Sequence, residues 1–409
     1  MVASRRSFVI VVLVLTVATL LAAASAAAAP GDRIWVRPFA AGTYAEEFRD
    51  LVPGPKGSVY AVGIAKATEE TGKLLVARYS ADGVRLWARM YGAGGAGASG
   101  YRAVAVPGGV IVAGTAGNVS SPHKTDILVV KYSARGTRVW TTRFDGPAHG
   151  NDTAAGITTG YYSITGQLVD VYVGGTSVGK GTGRDYVVLQ IHAKSGRIIW
   201  TRRYDRPATS DDLRAVHADA GGNVYATGVS ADKGGGSTAA ATLMYDIGGR
   251  RLWLRRLHAG VGPTSGAGIS INIDEQAVYV AGTTVGGMST VHEVMLAKLR
   301  MSDGVKQWTD WTGVGDGEEY CLAFAASGVH GWALAGFTAD RGTDDSRGFV
   351  ATWAQDGTFL WQSPYHTGLP TDDAPLHVGR FRRRGRRVLR RLHLGLGHRR
   401  GLHRRPVRR

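Results

Sequence analysis

One cysteine, Cys321, is all that 409 residues contain, so no intramolecular disulfide can form and packing alone must supply stability. It sits in Tyr320-Cys321-Leu322-Ala323-Phe324, a strand-like stretch where a thiol serves as a small buried hydrophobe rather than a nucleophile. With no cysteine near the N-terminus, lipid attachment there is excluded. Proline is scarce at 13 residues, helix signals are nearly missing, and glycine is abundant at 59. That balance belongs to many short strands joined by tight turns. Metal-site spacings are missing too: there is no H-E-x-x-H and no cysteine pair, and His192, His217, His258 and His292 stand far apart. Acids are missing from Arg380 to Arg409, which holds 14 arginines, while the remainder carries 35 basic against 32 acidic side chains. The formal charge of +17 is therefore concentrated in one terminal stretch, and the body is close to neutral.

That body carries an internal repeat. The pattern G-x-x-x-W occurs seven times, at Gly31/Trp35, Gly83/Trp87, Gly136/Trp140, Gly196/Trp200, Gly249/Trp253, Gly304/Trp308 and Gly357/Trp361. Successive tryptophans are 52, 53, 60, 53, 55 and 53 residues apart, the length of one propeller blade, and all seven are expected to mark equivalent places. Upstream of each lies an apolar strand ending in Gly, such as Val59-Tyr60-Ala61-Val62-Gly63 or Val224-Tyr225-Ala226-Thr227-Gly228. Between the landmarks comes an alternating strand such as Ile127-Leu128-Val129-Val130-Lys131-Tyr132, whose period of two marks a pleated, half-buried surface. The X-Gly turn before each Trp is a hairpin signal, because Gly accepts positive φ. Each blade is thus expected to hold four strands, the Trp strand last, with Tyr161 to Leu168 inserted in one hairpin. From Gly31 to about residue 375 the chain resembles secreted bacterial β-propeller repeat proteins, similar to pyrroloquinoline-quinone-type propeller repeats with their tryptophan docking motif.

The expected fold is all-β, a seven-bladed propeller of four-stranded blades whose last blade is incomplete in this chain. Ile34 to Phe39 would supply the outer strand of that blade, and Thr371 to Val378 would begin it, after which the repeat stops. The predicted domains are an export signal at 1–29, the propeller at 30–375 and an arginine-rich tail at 376–409 that reads as frameshifted or disordered. The signal rests on Arg5 and Arg6, an apolar run from Phe8 to Leu21 and Ala24-Ser25-Ala26 as a cleavage site, predicting secretion by the general or the twin-arginine route. Once it is removed, no transmembrane span is expected.

Two motifs look catalytic and do not survive their context. Gly175-Thr176-Ser177-Val178-Gly179 matches a nucleophile elbow, but a strand follows where a helix is required. Gly92-Ala93-Gly94-Gly95-Ala96-Gly97 matches G-x-G-x-x-G, but no helix or ribose-binding acid follows. One constellation remains, twelve residues after each Trp, where Glu47, Asp152, Asp212 and Asp373 open inner strands. Facing carboxylates there would bind a hard cation or polar ligand, although hydrogen bonding to turn or neighbouring-blade N–H groups is the simpler account of them. The expected function is a monomeric, non-catalytic scaffold binding a protein, glycan or small ligand, without a cofactor and without nucleic acid unless the tail is genuine. The alternative is a quinoprotein-like enzyme with a cofactor or cation in its central channel. What the resemblance implies for that case is pyrroloquinoline quinone, calcium, adjacent cysteines and usually eight blades, against seven Trp positions and one Cys here.

Overall fold

The computed structural model describes residues 45–365 except 67–71, 93–96, 118–123, 161–166, 207–208, 261, 286–291, 313–317, 327–330, 340–345 and 355, and also Trp35, Phe39, 379–383 and 386–390. Contacts divide the chain into Met1–Val36, of which only Trp35 is described, and Arg37–Arg409. The signal segment, most of the expected closing strand and residues 391–409 lie outside the described residues.

Within the second unit, six four-stranded antiparallel sheets follow one another along the chain. The first holds β1 (Ala45–Pro53), β2 (Val59–Lys66), β3 (Gly72–Tyr79) and β4 (Arg85–Tyr91), and the second β5 (Ala98–Val106), β6 (Gly109–Ala116), β7 (Asp126–Ser133) and β8 (Arg138–Phe144). The third holds β9 (Thr153–Thr159), β10 (Asp170–Gly179), β11 (Gly183–His192) and β12 (Ile198–Tyr204), and the fourth β13 (Asp211–Ala218), β14 (Val224–Ala231), β15 (Thr238–Tyr245) and β16 (Arg251–Leu257). The fifth holds β17 (Thr264–Asn272), β18 (Ala277–Val285), β19 (His292–Arg300) and β20 (Lys306–Thr312), and the sixth β21 (Glu318–Ala326), β22 (Trp332–Ala339), β23 (Ser346–Trp353) and β24 (Phe359–Tyr365). Each is a meander in chain order, and the first strand of each sheet packs against the first strand of the next. A further hairpin, β25 (Gly379–Arg383) with β26 (Arg386–Arg390), places β25 beside both β1 and β21. The protein is an all-β propeller, with six four-stranded blades and a two-stranded element after the sixth among the described residues.

Its core lies between blades. Tyr60, Val62, Leu74 and Val76 of the first sheet form one buried cluster with Val110, Val112, Leu128 and Val130 of the second. Twisted sheets standing side by side need bulky apolar filling of this kind where their faces meet.

The G-x-x-x-W motif is a clasp between neighbouring blades. Trp87 Nε1 donates to the Ala134 carbonyl at 2.9 Å, Trp140 to Ala193 at 3.3 Å, Trp200 to Ile247 at 3.0 Å and Trp253 to Met301 at 3.0 Å, each in the next blade's turn. The glycine of that next turn sits under the ring. A Cβ built on Gly304 would lie 2.6 Å from Trp253, and one on Gly136 would lie 2.8 Å from Trp87. Gly304 also holds φ at +72°, which disfavours any side chain. The motif therefore needs Gly twice over, for its turn and for the close approach of the preceding blade. Two of the arginines that stand two residues after Trp join this clasp: Arg89 Nε donates to Gly136 O at 3.0 Å and Arg202 Nε to Gly249 O at 2.6 Å.

The expectation of seven equivalent tryptophans is corrected at Trp308. Trp308, in β20, still lies close to the next turn, but it presents the far edge of its ring: a Cβ on Gly357 would lie 2.9 Å from its Cη2 and Cζ2. Its Nε1 donates to no carbonyl among the described residues. The ring is half-buried, whereas Trp200 and Trp253 are buried. The sixth blade supplies the reason. Trp332 and Trp353 pair there at the register held by Val59 and Tyr79 in the first blade, and the Trp332 ring lies tilted against that of Tyr279, with centroids 3.9 Å apart. These larger rings occupy the interblade space, and Trp308 meets Tyr279 only edge-on at 5.9 Å. Trp361, in β24, pairs with Thr352 as Trp87 pairs with Arg78, so its backbone register is that of the repeat. Its side chain lies outside the described residues, and its turn partner would belong to the seventh blade.

Cys321 is buried in the sixth blade, where burial pushes its thiol well above the ordinary value. A thiol reagent at pH 8 is expected to leave the native protein unlabelled and to label it on denaturation. Rapid native labelling would show that the sixth blade is open.

Candidate functional site

All six inner strands carry a β-bulge at the same register. The irregularity falls between Phe48 and Asp50 in β1, Gly100 and Arg102 in β5, Ala154 and Gly156 in β9, Leu213 and Ala215 in β13, Gly266 and Gly268 in β17, and Cys321 and Ala323 in β21. Each bulge leaves one residue out of the ladder and turns the local strand, a device found at the rims of barrels and beside sites. The bulged residues are Arg49, Tyr101, Ala155, Arg214, Ala267 and Leu322.

The bulges surround a cavity of about 290 Å³ to which every inner strand contributes lining. Most of that lining is small or apolar, and its charged groups are Asp50, Arg102, Arg214 and His217. The small residues are required by approach. A Cβ on Gly268 would come within 2.4 Å of Phe324 on the next inner strand, and one on Gly156 within 3.1 Å of Val216.

Asp50 occupies the position equivalent to these glycines and spans the same gap with a carboxylate. Its Oδ1 accepts from Leu51 N at 2.9 Å and its Oδ2 from Ala103 N, on the next blade, at 2.8 Å. Burial raises its carboxyl above the ordinary range, opposed by Arg102 and by the two backbone N–H groups. The sign follows by linkage. A carboxyl with a raised folded pKa stabilises most below the unfolded value of about 3.9 and loses that contribution as pH rises through the folded value. Urea unfolding of wild type against Asp50→Asn should therefore show wild type losing ground between pH 4 and pH 8, by about 1.4 kcal/mol for each tenfold change in proton affinity on folding. A pH-independent difference would contradict the burial of this charge.

The cations of the channel are differently committed. Arg49 pairs with Glu47 at 3.1 Å and stacks over the Tyr101 ring at 4.9 Å. Arg102 donates to the Tyr101 carbonyl at 3.0 Å. Arg214 is exposed in the cavity and, among the described residues, has no hydrogen bond or ion pair. An unengaged guanidinium presents donors in a fork suited to carboxylate or phosphate.

The sequence-selected acids lie at the start of the inner strands, apart from this lining. Glu47 is exposed and holds Arg49, whereas Asp212 accepts from Arg184 Nε at 2.7 Å. Asp152 is fully buried, takes N–H groups of Gly146 and Val178, and groups with Asp126 and Asp145. By pairing register it matches Asp211 rather than Asp212, because the connection after β8 is longer by one residue than that after β12. Asp373 lies outside the described residues. Asp50, Arg102 and Arg214 were missed for lack of an alternating pattern, since a bulge breaks the period of two. The available signal was charge embedded in strands otherwise built of Gly, Ala and Val.

No protein-family model matches the chain. No curated protein matches its sequence. Similar solved structures include the quinohemoprotein alcohol dehydrogenase ADHIIG of Pseudomonas putida HK5, at 13% identity over 78% of this chain and 67% of that one, with a TM-score of 0.41. A europium-containing methanol dehydrogenase matches at 11% identity over 79% of this chain and 80% of its own, TM-score 0.44. The quinohemoprotein alcohol dehydrogenase of Comamonas testosteroni matches at 12% over 81% and 68%, TM-score 0.43. At such identities the likeness concerns the fold. The expectation that this chain takes no cofactor is corrected at this point, since the neighbours are quinohemoproteins or hold europium. The described channel fits part of such a group: Arg102 and Arg214 suit an anionic molecule. It does not fit the calcium and cysteine set that the resemblance implies, because Asp50 is the one carboxylate in the described lining and Cys321 is buried alone.

Proposed function

We propose that this chain is an exported propeller repeat protein that holds a small anionic ligand in its central channel. The observation that carries the reading is Arg214, exposed in a cavity lined from six blades and unengaged among the described residues, with Arg102 and His217 on the same lining. Pockets of this kind are mostly apolar with a few polar groups that fix orientation. Export is supported by the N-terminal Arg5-Arg6, the apolar run and the alanine-rich end. Among the described residues, no helix is long and apolar enough to cross a membrane.

The enzyme reading uses the same place. An anionic cofactor anchored by the arginines would make the protein a propeller dehydrogenase, and a ligand held without turnover would make it a binding protein. Calorimetric titration with inorganic phosphate, citrate and pyrroloquinoline quinone separates the two, each binder then being assayed for alcohol oxidation. Saturable binding that weakens with salt is expected, since exposed charge pairs are screened. Absence of binding to all three probes would remove the proposal.

A further inference from the structure

The connection between the third and fourth blades gathers three aspartates. Asp185 lies near the start of β11, Asp205 directly follows β12, and Asp211 opens β13. One carboxylate oxygen from each lies within 4.8 Å of the other two. Asp185 and Asp211 are 1% and 0% exposed. Their Oδ2 atoms are engaged: that of Asp185 accepts from Arg203 Nη2 at 2.6 Å and Thr182 Oγ1 at 2.7 Å, and that of Asp211 from Arg206 N at 2.8 Å. Their Oδ1 atoms, and Oδ1 of Asp205, are buried without a hydrogen-bond partner. A cluster of three carboxylates that keeps three buried oxygens without a hydrogen-bond partner calls for a counter-ion, because buried carboxylates are otherwise paired or bound to metal.

We propose that Asp185, Asp205 and Asp211 form a calcium-binding site at this blade junction. Charge agrees with a cation: three carboxylates exceed the Arg203 guanidinium that pairs with them, while Arg206 and Arg256 both turn to Asp232, at 3.6 Å and 2.7 Å, and Arg184 to Asp212. Distance agrees as well. Calcium binds oxygens at about 2.4 Å, so oxygens on one ion lie no more than about 4.8 Å apart, with waters completing the shell.

The repeat supplies its own controls. At the preceding junction, Asp126, Asp145 and Asp152 occupy the same registers, but Arg143 pairs with Asp126, His149 meets Asp145 at 2.6 Å, and both oxygens of Asp152 accept backbone N–H groups. At the following junction the positions hold Ala239, His258 and Thr264, and Thr264 Oγ1 is shared with Thr284 Oγ1 at 2.9 Å. Acids here are therefore not a requirement of blade packing.

The site is independent of the channel ligand, and its test does not use one. The purified full chain is stripped with chelator and titrated with calcium chloride to about 10 mM, beyond the range of about 10⁻⁴–10⁻³ M seen in extracellular calcium modules. One saturable site is expected, with a rise in melting temperature on binding. Asp205→Asn should weaken calcium at least tenfold, and Asp145→Asn should leave it unchanged. Terbium luminescence gives a second readout through the adjacent Tyr186 and Tyr204 rings, 5.3 Å apart. No saturable binding by wild type, undiminished binding by Asp205→Asn, or loss in Asp145→Asn would each overturn the proposal.

Discussion

Trp253→Ala is expected to destabilise the propeller by about 3–5 kcal/mol, the cost of truncating a large buried aromatic. Trp253 is only 6% exposed, packs 6.2 Å from Tyr225 within its own blade, and spans to the next blade through Met301 O and Gly304. Its removal opens the interblade core, which collects Val278, Val280, Met295 and Leu299 around it. Gly304→Ala should cost less in the Trp253→Ala background than in wild type. With the ring gone, the two closest clashes of the new Cβ disappear, leaving a 3.0 Å approach to Arg255 Cγ on a flexible side chain and the strain of positive φ, about 1 kcal/mol. Guanidinium unfolding of the four proteins measures the coupling. A loss below about 1 kcal/mol for Trp253→Ala, or simple additivity, would show that Gly and Trp of neighbouring blades do not act as one clasp.

Arg214→Ala should weaken the tightest channel ligand about 10- to 100-fold, the worth of one charge-assisted hydrogen-bonded contact. Stability should hardly change. The side chain is exposed and makes no hydrogen bond or ion pair with the described residues, so its truncation removes little from the folded state. This separation of affinity from stability distinguishes a ligand contact from a structural arginine. Arg203, with its bonds to Asp185 and Ser177, should show the opposite behaviour. Equal affinity in wild type and Arg214→Ala would move the ligand away from the bulged strands.

The blade plan was legible because its landmarks are local. A turn glycine, a following Trp strand and a preceding Gly-terminated strand lie within about half a repeat, and the structure places them in consecutive antiparallel strands. What the landmarks do to one another was not legible. Gly249 and Trp253 stand four residues apart, yet Trp253 packs on Gly304 of the next blade. Trp308 keeps the same spacing from Gly304 and still departs from the clasp, because Trp332 of the following blade fills space that Val occupies elsewhere. Spacing along a chain carries no information about which neighbouring repeat a side chain meets. The channel was hidden for a different reason. A bulge shifts Asp50, Arg102 and Arg214 out of any alternating pattern, and counting from Trp assigned Asp152 to the register of Asp212 although pairing aligns it with Asp211. The aspartate cluster draws on the end of one blade and the start of another, so it emerges only when strand ends are placed in space.

Where the anion sits is the most direct question for the account. A crystal structure of the chain with the tightest of phosphate, citrate and pyrroloquinoline quinone bound should place it among the six inner strands, within hydrogen-bond reach of Arg214. A ligand on the outer strands, or in the channel without contact to Arg214, would contradict the function proposed for this propeller.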